Sequence, residues 1–192
     1  MVAVESTMLT LGTTAPEFAL PDPDGTVWSL DRVAGERGTL VAFVCNHCPY
    51  VRHIAAELGR AAARWTSSGI GVVGINSNDV ESHPDDRPER MAEQATAWGW
   101  EFPYLSDTDQ SVAHAYRAAC TPDFFLFDDS RCLVYRGRFD GSTPGNDVEV
   151  SGSELDAAVQ TLIAGEPISG EQVPSIGCNI KWRPGYEPPW FG

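Results

Sequence analysis

Cys45 and Cys48 stand three residues apart in the run Cys45-Asn46-His47-Cys48-Pro49. Two thiols at that spacing can close a disulfide in a short loop and reopen it, which suits two-electron thiol–disulfide exchange. His47 between them adds positive charge beside a thiolate when it is protonated. Two other chemistries use the same residue types. A structural zinc site needs four ligands, and the chain has no second Cys-x-x-Cys. The pair is therefore read as holding no structural metal, with copper or zinc carriage by Cys45, Cys48 and a distant histidine as an alternative function. Two unrelated core thiols are the third reading, and the position of the pair argues against it.

That position follows from the flanking elements. Residues 39–44 form a continuous apolar run with the length and branching of a strand buried on both faces. After the cysteines, Val51, Ile54, Ala55, Leu58, Ala61, Ala62 and Trp65 recur at three- and four-residue steps. This spacing predicts an amphipathic helix ending near Ser67-Ser68-Gly69. Residues 70–76 read as a second buried strand, so the unit is β-α-β with parallel strands and a right-handed crossover. On this reading the helix starts directly after Cys45, where unpaired N–H groups and the helix dipole favour a thiolate. Pro49 falls in the first turn, and Cys48, one turn along, is the buried resolving thiol. Lowering the Cys45 pKa by about 1.5 is worth about 2 kcal/mol and makes the disulfide more oxidising.

Elsewhere the chain offers short elements. Residues 15–20 and 22–30 read as two extended pieces joined by a Pro/Asp/Gly turn. Residues 83–90 read as a solvated charged loop leading into a helix over 89–98. A short extended piece over 102–105 and a short helix over 109–118 follow. Residues 124–127 and 132–136 flank Asp128-Asp129-Ser130 as a hairpin, and a last helix over 154–163 has Ser151 or Ser153 as its cap. From Pro167 the composition turns rich in Pro and Gly. The chain thus reads as one domain over residues 1–166, with a tail over 167–192 packed on it.

Composition limits the partners. The 192 residues include 13 basic and 27 acidic ones, a net charge of −14, which sets aside nucleic acid and anionic membranes. No stretch approaches the ~18 apolar residues of a membrane span. The first six residues lack a basic, then apolar, leader, so a cytoplasmic location is expected. Five cysteines are too few for a disulfide scaffold, and their number is odd.

Buried strand, Cys-x-x-Cys, long helix, strand, then Thr121-Pro122 before a hairpin and a final helix resemble the thioredoxin-like superfamily. The opening Ala15-Pro16-Glu17-Phe18 and Asp24-Gly25 is similar to its peroxiredoxin-like branch (alkyl hydroperoxide reductase/thiol-specific antioxidant, or redoxin). Residues 45–51 and 174–182 look like a subgroup usually labelled thioredoxin family protein, and the likeness runs over residues 11–182. The resemblance implies an α/β thioredoxin-like fold: a central mixed sheet flanked by helices, an N-terminal β-hairpin extension and a C-terminal wrapping tail. It implies a thiol–disulfide oxidoreductase acting on protein or small-molecule disulfides, with no cofactor and with a separate electron donor or acceptor. Cys45 would be the nucleophile, Cys48 the resolving thiol, and Thr121-Pro122 the cis-proline loop that meets substrate. Thiol peroxidase activity is the alternative, with Cys48 at the peroxidatic position, Cys45 where that branch has threonine, and Arg138 or Arg117 as the activating arginine. The chain departs from ordinary thioredoxin in having Val44 before the pair, Asn46-His47 within it, and no acid over residues 40–44. His47, Glu17 or water would then take the proton of Cys48.

The remaining cysteines are secondary. Cys120, two residues before Pro122, is an auxiliary redox candidate or a small packed residue. Cys178 pairs with Cys120, or packs alone, or resolves the active-site disulfide if the tail returns there. Cys132 reads as structural, Arg138 as an ion-paired surface residue, and His53 and His114 as ordinary helix residues. Trp182, Trp190 and Phe191 read as tail anchors.

Overall fold

The computed structural model describes residues 3–191. Its strands in chain order are β1 Ala3–Glu5, β2 Ala19–Pro21, β3 Val27–Ser29, β4 Gly38–Phe43, β5 Ile70–Asn76, β6 Tyr104–Ser106, β7 Cys120–Thr121, β8 Asp123–Asp128, β9 Leu133–Gly137 and β10 Ile176–Asn179. The helices are α1 Leu30–Val33, α2 Pro49–Ser67, α3 Pro88–Trp98, α4 Ser111–Ala115 and α5 Ser153–Ile163, with one 3-10 turn at Pro84–Asp86.

The central strand is β4, buried at every position. It runs parallel to β5 and antiparallel to β8, in a sheet of order β6-β5-β4-β8-β9. Alternation along the strands divides the core into two layers. Leu40, Ala42, Phe124 and Leu126 face Leu58 and Trp65 of α2, whereas Val41, Phe43, Phe125 and Phe127 pack with Val73, Ile75 and Tyr116. This is the thioredoxin-like α/β architecture, a mixed sheet flanked by helices.

Two additions complete it. β2 and β3 form the N-terminal hairpin, whose turn is held by Asp22 Oδ1 accepting from the N–H groups of Asp24 and Thr26. At the other end β10 inserts between β1 and β7 as the middle strand of a small antiparallel sheet. Gly177 permits that insertion, since a Cβ there would lie 2.1 Å from the Thr121 carbonyl oxygen. Beyond β10, Trp182 is buried and Trp190 lies against His114, its Nε1 donating to Ala118 O at 3.4 Å; Phe191 is exposed.

Several boundaries differ from the sequence expectation. β6 begins at Tyr104, and α4 is shorter than the span 109–118. Neither Ser151 nor Ser153 caps α5. The cap is Gly152 in the left-handed region, and the Asp140 carboxylate accepts from the N–H groups of Ser151 at 2.7 Å and Gly152 at 2.6 Å. The N–H that a serine cap would serve, Leu155 N, donates instead to the Phe139 carbonyl at 3.1 Å, while Asp140 fixes the backbone just before the helix.

Candidate active site

β4 ends at Phe43 and α2 begins at Pro49, so residues 45–47 form a turn and Cys48 is the N-cap. The helix therefore starts after Cys48, which corrects the expectation that its free N–H groups serve Cys45. Pro49 takes the first helical position, where its missing N–H costs nothing. Across from the turn stands Thr121, and the Thr121–Pro122 peptide is cis. Thr121 touches both sulfurs: its Oγ1 lies 3.3 Å from Cys45 Sγ, and its carbonyl oxygen 3.1 Å from Cys48 Sγ. Cys178 Sγ lies 2.8 Å from Cys48 Sγ. All three cysteines are buried.

Burial pushes the Cys45 thiol well up, and the neighbouring Cys48 and the Asp86 carboxylate add to the effect. Cys48 moves the other way. The S–H groups of Cys178 and Cys45 hold it below the ordinary thiol range, with smaller help from the backbone N–H groups of Val51 and Cys178. Cys178, facing Cys48, is pushed up. With every thiol protonated, Cys48 S–H donates to the Thr121 carbonyl. Once that proton leaves, the two flanking thiols turn their S–H groups to the Cys48 sulfur. Burial and the neighbouring sulfurs thus disfavour the charged form at Cys45 and favour it at Cys48, whereas the sequence expectation places the thiolate at Cys45.

The turn is clamped by residues 83–90, which the sequence presents as a solvated charged loop. Asp86 is fully buried there. Its carboxylate accepts from Asn46 N at 2.8 Å and Asn78 Nδ2 at 2.8 Å, and it meets His47 Nδ1 at 2.6 Å. Burial raises its pKa, but the bond and charge of His47, with Asn78 and Asn46, bring the net below the usual carboxylate value. Asn46 is further fixed by Tyr104 Oη donating to its Oδ1 and by Arg52 Nε donating to its carbonyl. These bonds hold residues 45–47 out of the helix. His47 is thereby paired with Asp86 rather than with a thiolate, and His83 stacks over its ring at 4.8 Å.

Donor atoms of Cys45, His47 and Asp86 lie within 4.8 Å of one another. The carboxylate is already engaged by three donors, and His47 meets it through Nδ1 while its Nε2 is buried without a hydrogen-bond partner among the described residues. The set offers one sulfur, one nitrogen and one oxygen, short of the four ligands of a closed zinc site.

The AhpC/TSA family matches residues 11–136, which include Cys45, Cys48, Thr121 and Pro122. The chain belongs to the AhpC/TSA family. It is 34% identical over 114 residues to the putative peroxiredoxin Rv2521 of Mycobacterium tuberculosis (strain ATCC 25618 / H37Rv), covering 59% of this chain and 68% of that protein. It is 26% identical over 124 residues to the thiol-disulfide oxidoreductase ResA of Geobacillus thermodenitrificans, covering 65% of this chain and 67% of that protein. Over nearly its whole length it is similar to a solved structure, an uncharacterized conserved protein from Geobacillus kaustophilus. The two are 48% identical with a TM-score of 0.94, over 96% of this chain and 98% of that one. Family and relatives make the chain an oxidoreductase of the thiol class.

In this AhpC/TSA-family protein the other sequence candidates fall into two groups. Cys178 joins the site, and Cys120 does not. Residues 120 and 121 are neighbours on β7 and face opposite sides, so with Thr121 toward the thiols, Cys120 turns its sulfur toward Pro122 O at 3.4 Å. Cys178 is registered with Thr121, so it shares Thr121's side and does not pair with Cys120. Glu17 is ion-paired with Arg131 and takes no part. His53 Nε2 meets Ser142 Oγ at 2.7 Å, and Cys132 is half-buried beside the hairpin turn. Arg138 pairs with Glu154, and Arg117 lies over the Trp190 ring. Arg138 also lines a cavity of about 160 Å³ beside Pro122, Tyr50 and Ile54.

Two acids escaped the sequence reading. Asp86 sits among charged residues and carries no local sign of burial. Asp123 does: it heads the apolar run Phe124-Phe125-Leu126-Phe127. It is fully buried next to the cis proline, its Oδ2 accepting from Ala119 N at 3.3 Å, and burial pushes its pKa up to about 7.

Proposed function

We propose that this AhpC/TSA-family protein reduces or forms disulfides in proteins or small thiols through the Cys45/Cys48 pair, with no bound cofactor and a separate electron donor or acceptor. The observation that carries the reading is the double engagement of Thr121, whose hydroxyl and carbonyl each meet one sulfur of the pair beneath the cis proline. In the reductive direction the Cys48 thiolate attacks one sulfur of the substrate disulfide. A mixed disulfide forms and the first substrate thiolate leaves. Cys45 then attacks Cys48 Sγ; its proton passes to the second departing thiolate, and the Cys45–Cys48 disulfide remains. Thr121 Oγ1 lies where it would donate to the Cys45 sulfur as that proton leaves. In the reductive direction a thiol reductant resets the pair, and a cytoplasmic location suits that direction. No helix of the described residues is long and apolar enough to cross a membrane.

Reduction of insulin disulfides tests the reading. Cys48→Ser should lower turnover at least a hundredfold, and retained activity in that variant would defeat it.

A second reading, thiol peroxidase, is favoured by the placement of Cys48 as a buried helix cap with thiolate character. Attack on a peroxide oxygen would give a Cys48 sulfenic acid, and condensation with Cys45 would release water and form the same disulfide. The arginines expected to activate it, Arg138 and Arg117, are engaged with Glu154 and Trp190. Loss of the Cys48 thiol faster with peroxide than with oxidised glutathione supports this second reading. Carriage of copper or zinc has weaker support, since Asp86 already has three partners.

A further inference from the structure

The family match ends at residue 136, and the third sulfur of the site lies beyond it, on β10. β10 is tied on both sides, with Cys178 opposite Ala3 of β1 and Thr121 of β7. Directly opposed residues of an antiparallel pair leave the sheet on the same face. Cys178 is therefore delivered to the face on which Thr121 meets Cys45 and Cys48. Its sulfur stops 2.8 Å from Cys48 Sγ, about 0.8 Å beyond the ~2.05 Å of a covalent S–S bond. Gly177 brings the strand that close, because any side chain there would strike the Thr121 carbonyl.

We propose that Cys48 is a two-way sulfur: the Cys45–Cys48 disulfide is passed internally to Cys178, giving a Cys48–Cys178 disulfide and freeing Cys45. The step rests on the thiol–disulfide reading above. It balances without any outside reagent. Cys178 gives up its proton and attacks Cys48 Sγ. The Cys45–Cys48 bond breaks as the Cys48–Cys178 bond forms, and the departing Cys45 sulfur takes up the proton. One disulfide per chain exists before and after, so nothing is oxidised or reduced. The exchange moves the oxidising equivalent from the turn before α2 to the strand formed by the tail, and it restores Cys45 as a thiol beside Thr121.

The full-length reduced protein is oxidised with excess oxidised glutathione, quenched by acid at intervals, alkylated, and mapped without reduction. The Cys45–Cys48 linkage should appear first. The Cys48–Cys178 linkage should then grow at its expense while the total stays at one per chain and Cys45 recovers its alkylation. Cys45→Ser should still form Cys48–Cys178. Cys178→Ser and Cys178→Ala, with circular dichroism confirming the fold, should stop at Cys45–Cys48. Wild type that accumulates Cys45–Cys48 alone, together with a Cys45→Ser variant that carries only glutathione adducts, overturns the proposal and leaves the oxidoreductase reading intact. If neither linkage forms in wild type, the reading beneath it fails as well.

Discussion

Replacing Asp86 by alanine should unlock the active-site turn, and the structure sets the size of the effect. The carboxylate is fully buried and serves three donors: Asn46 N, Asn78 Nδ2 and His47 Nδ1. A buried donor left unpaired costs about 1–3 kcal/mol, and removing one partner of a buried ion pair about 3–5 kcal/mol. These terms overlap, so a loss of about 3–5 kcal/mol at pH 7 is expected, out of a total of roughly 5–15 kcal/mol for a domain. For a chain of this size that lowers Tm by about 6–20 °C. Asp86→Asn, which keeps one acceptor oxygen, should lose less than half as much. The pH dependence supplies a second check. The folded carboxylate titrates below its unfolded value, so its contribution is present above pH ~4 and disappears as pH falls through the folded pKa. The gap between wild type and Asp86→Ala in urea denaturation should therefore be wide at pH 7 and shrink toward pH 3. Asp86 also opposes ionisation of Cys45, whose sulfur lies within 4.8 Å of it. At an effective dielectric of about 20 that repulsion is at least about 3.5 kcal/mol. Alkylation of Cys45 should accordingly accelerate in both variants. A difference under about 0.5 kcal/mol between Asp86→Ala and wild type at pH 7, with unchanged alkylation, would refute the clamp.

Three further outcomes follow from named contacts. Asp123 has its pKa pushed up to about 7, above the unfolded value, so wild-type stability should fall as pH rises from about 4 to 7, by an order of 4 kcal/mol from this group. Asp123→Asn should flatten that slope and be the more stable protein at pH 8; parallel curves would show that the carboxyl is hydrated. Thr121→Val removes the hydroxyl at Cys45 and keeps the carbonyl at Cys48, so Cys45 alkylation should slow about fivefold, the worth of one hydrogen bond, with Cys48 unchanged. An equal change at both sulfurs would contradict the division of labour. Gly177→Ala places a Cβ 2.1 Å from the Thr121 carbonyl oxygen, so β10 should shift, destabilising the protein by about 1–3 kcal/mol. Peptide mapping should then show Cys45–Cys48 but little Cys48–Cys178, and a wild-type yield of the second linkage would argue against tight insertion of the strand.

The sequence by itself determined the central β-α-β unit, the Cys-x-x-Cys between strand and helix, the hairpin of β8 and β9, and the thiol class of the chemistry. Those features are local. Residues 39–44 and 70–76 are apolar on both faces, and the helical spacing from Val51 to Trp65 states its own period. Pro49 marks a helix start, but which cysteine caps it depends on how residues 45–47 are held. That is decided by Asp86, some forty residues away, through bonds no local pattern records. The same holds for the protons. Cys45 is pushed up and Cys48 down because burial and neighbouring sulfurs outweigh the histidine between them, and His47 is already paired. Tertiary structure alone brought Cys178 to Cys48 and turned Cys120 away. Both follow from the register of β10 against β7, since a shift of one residue would exchange the faces and put a different side chain against the active-site thiols.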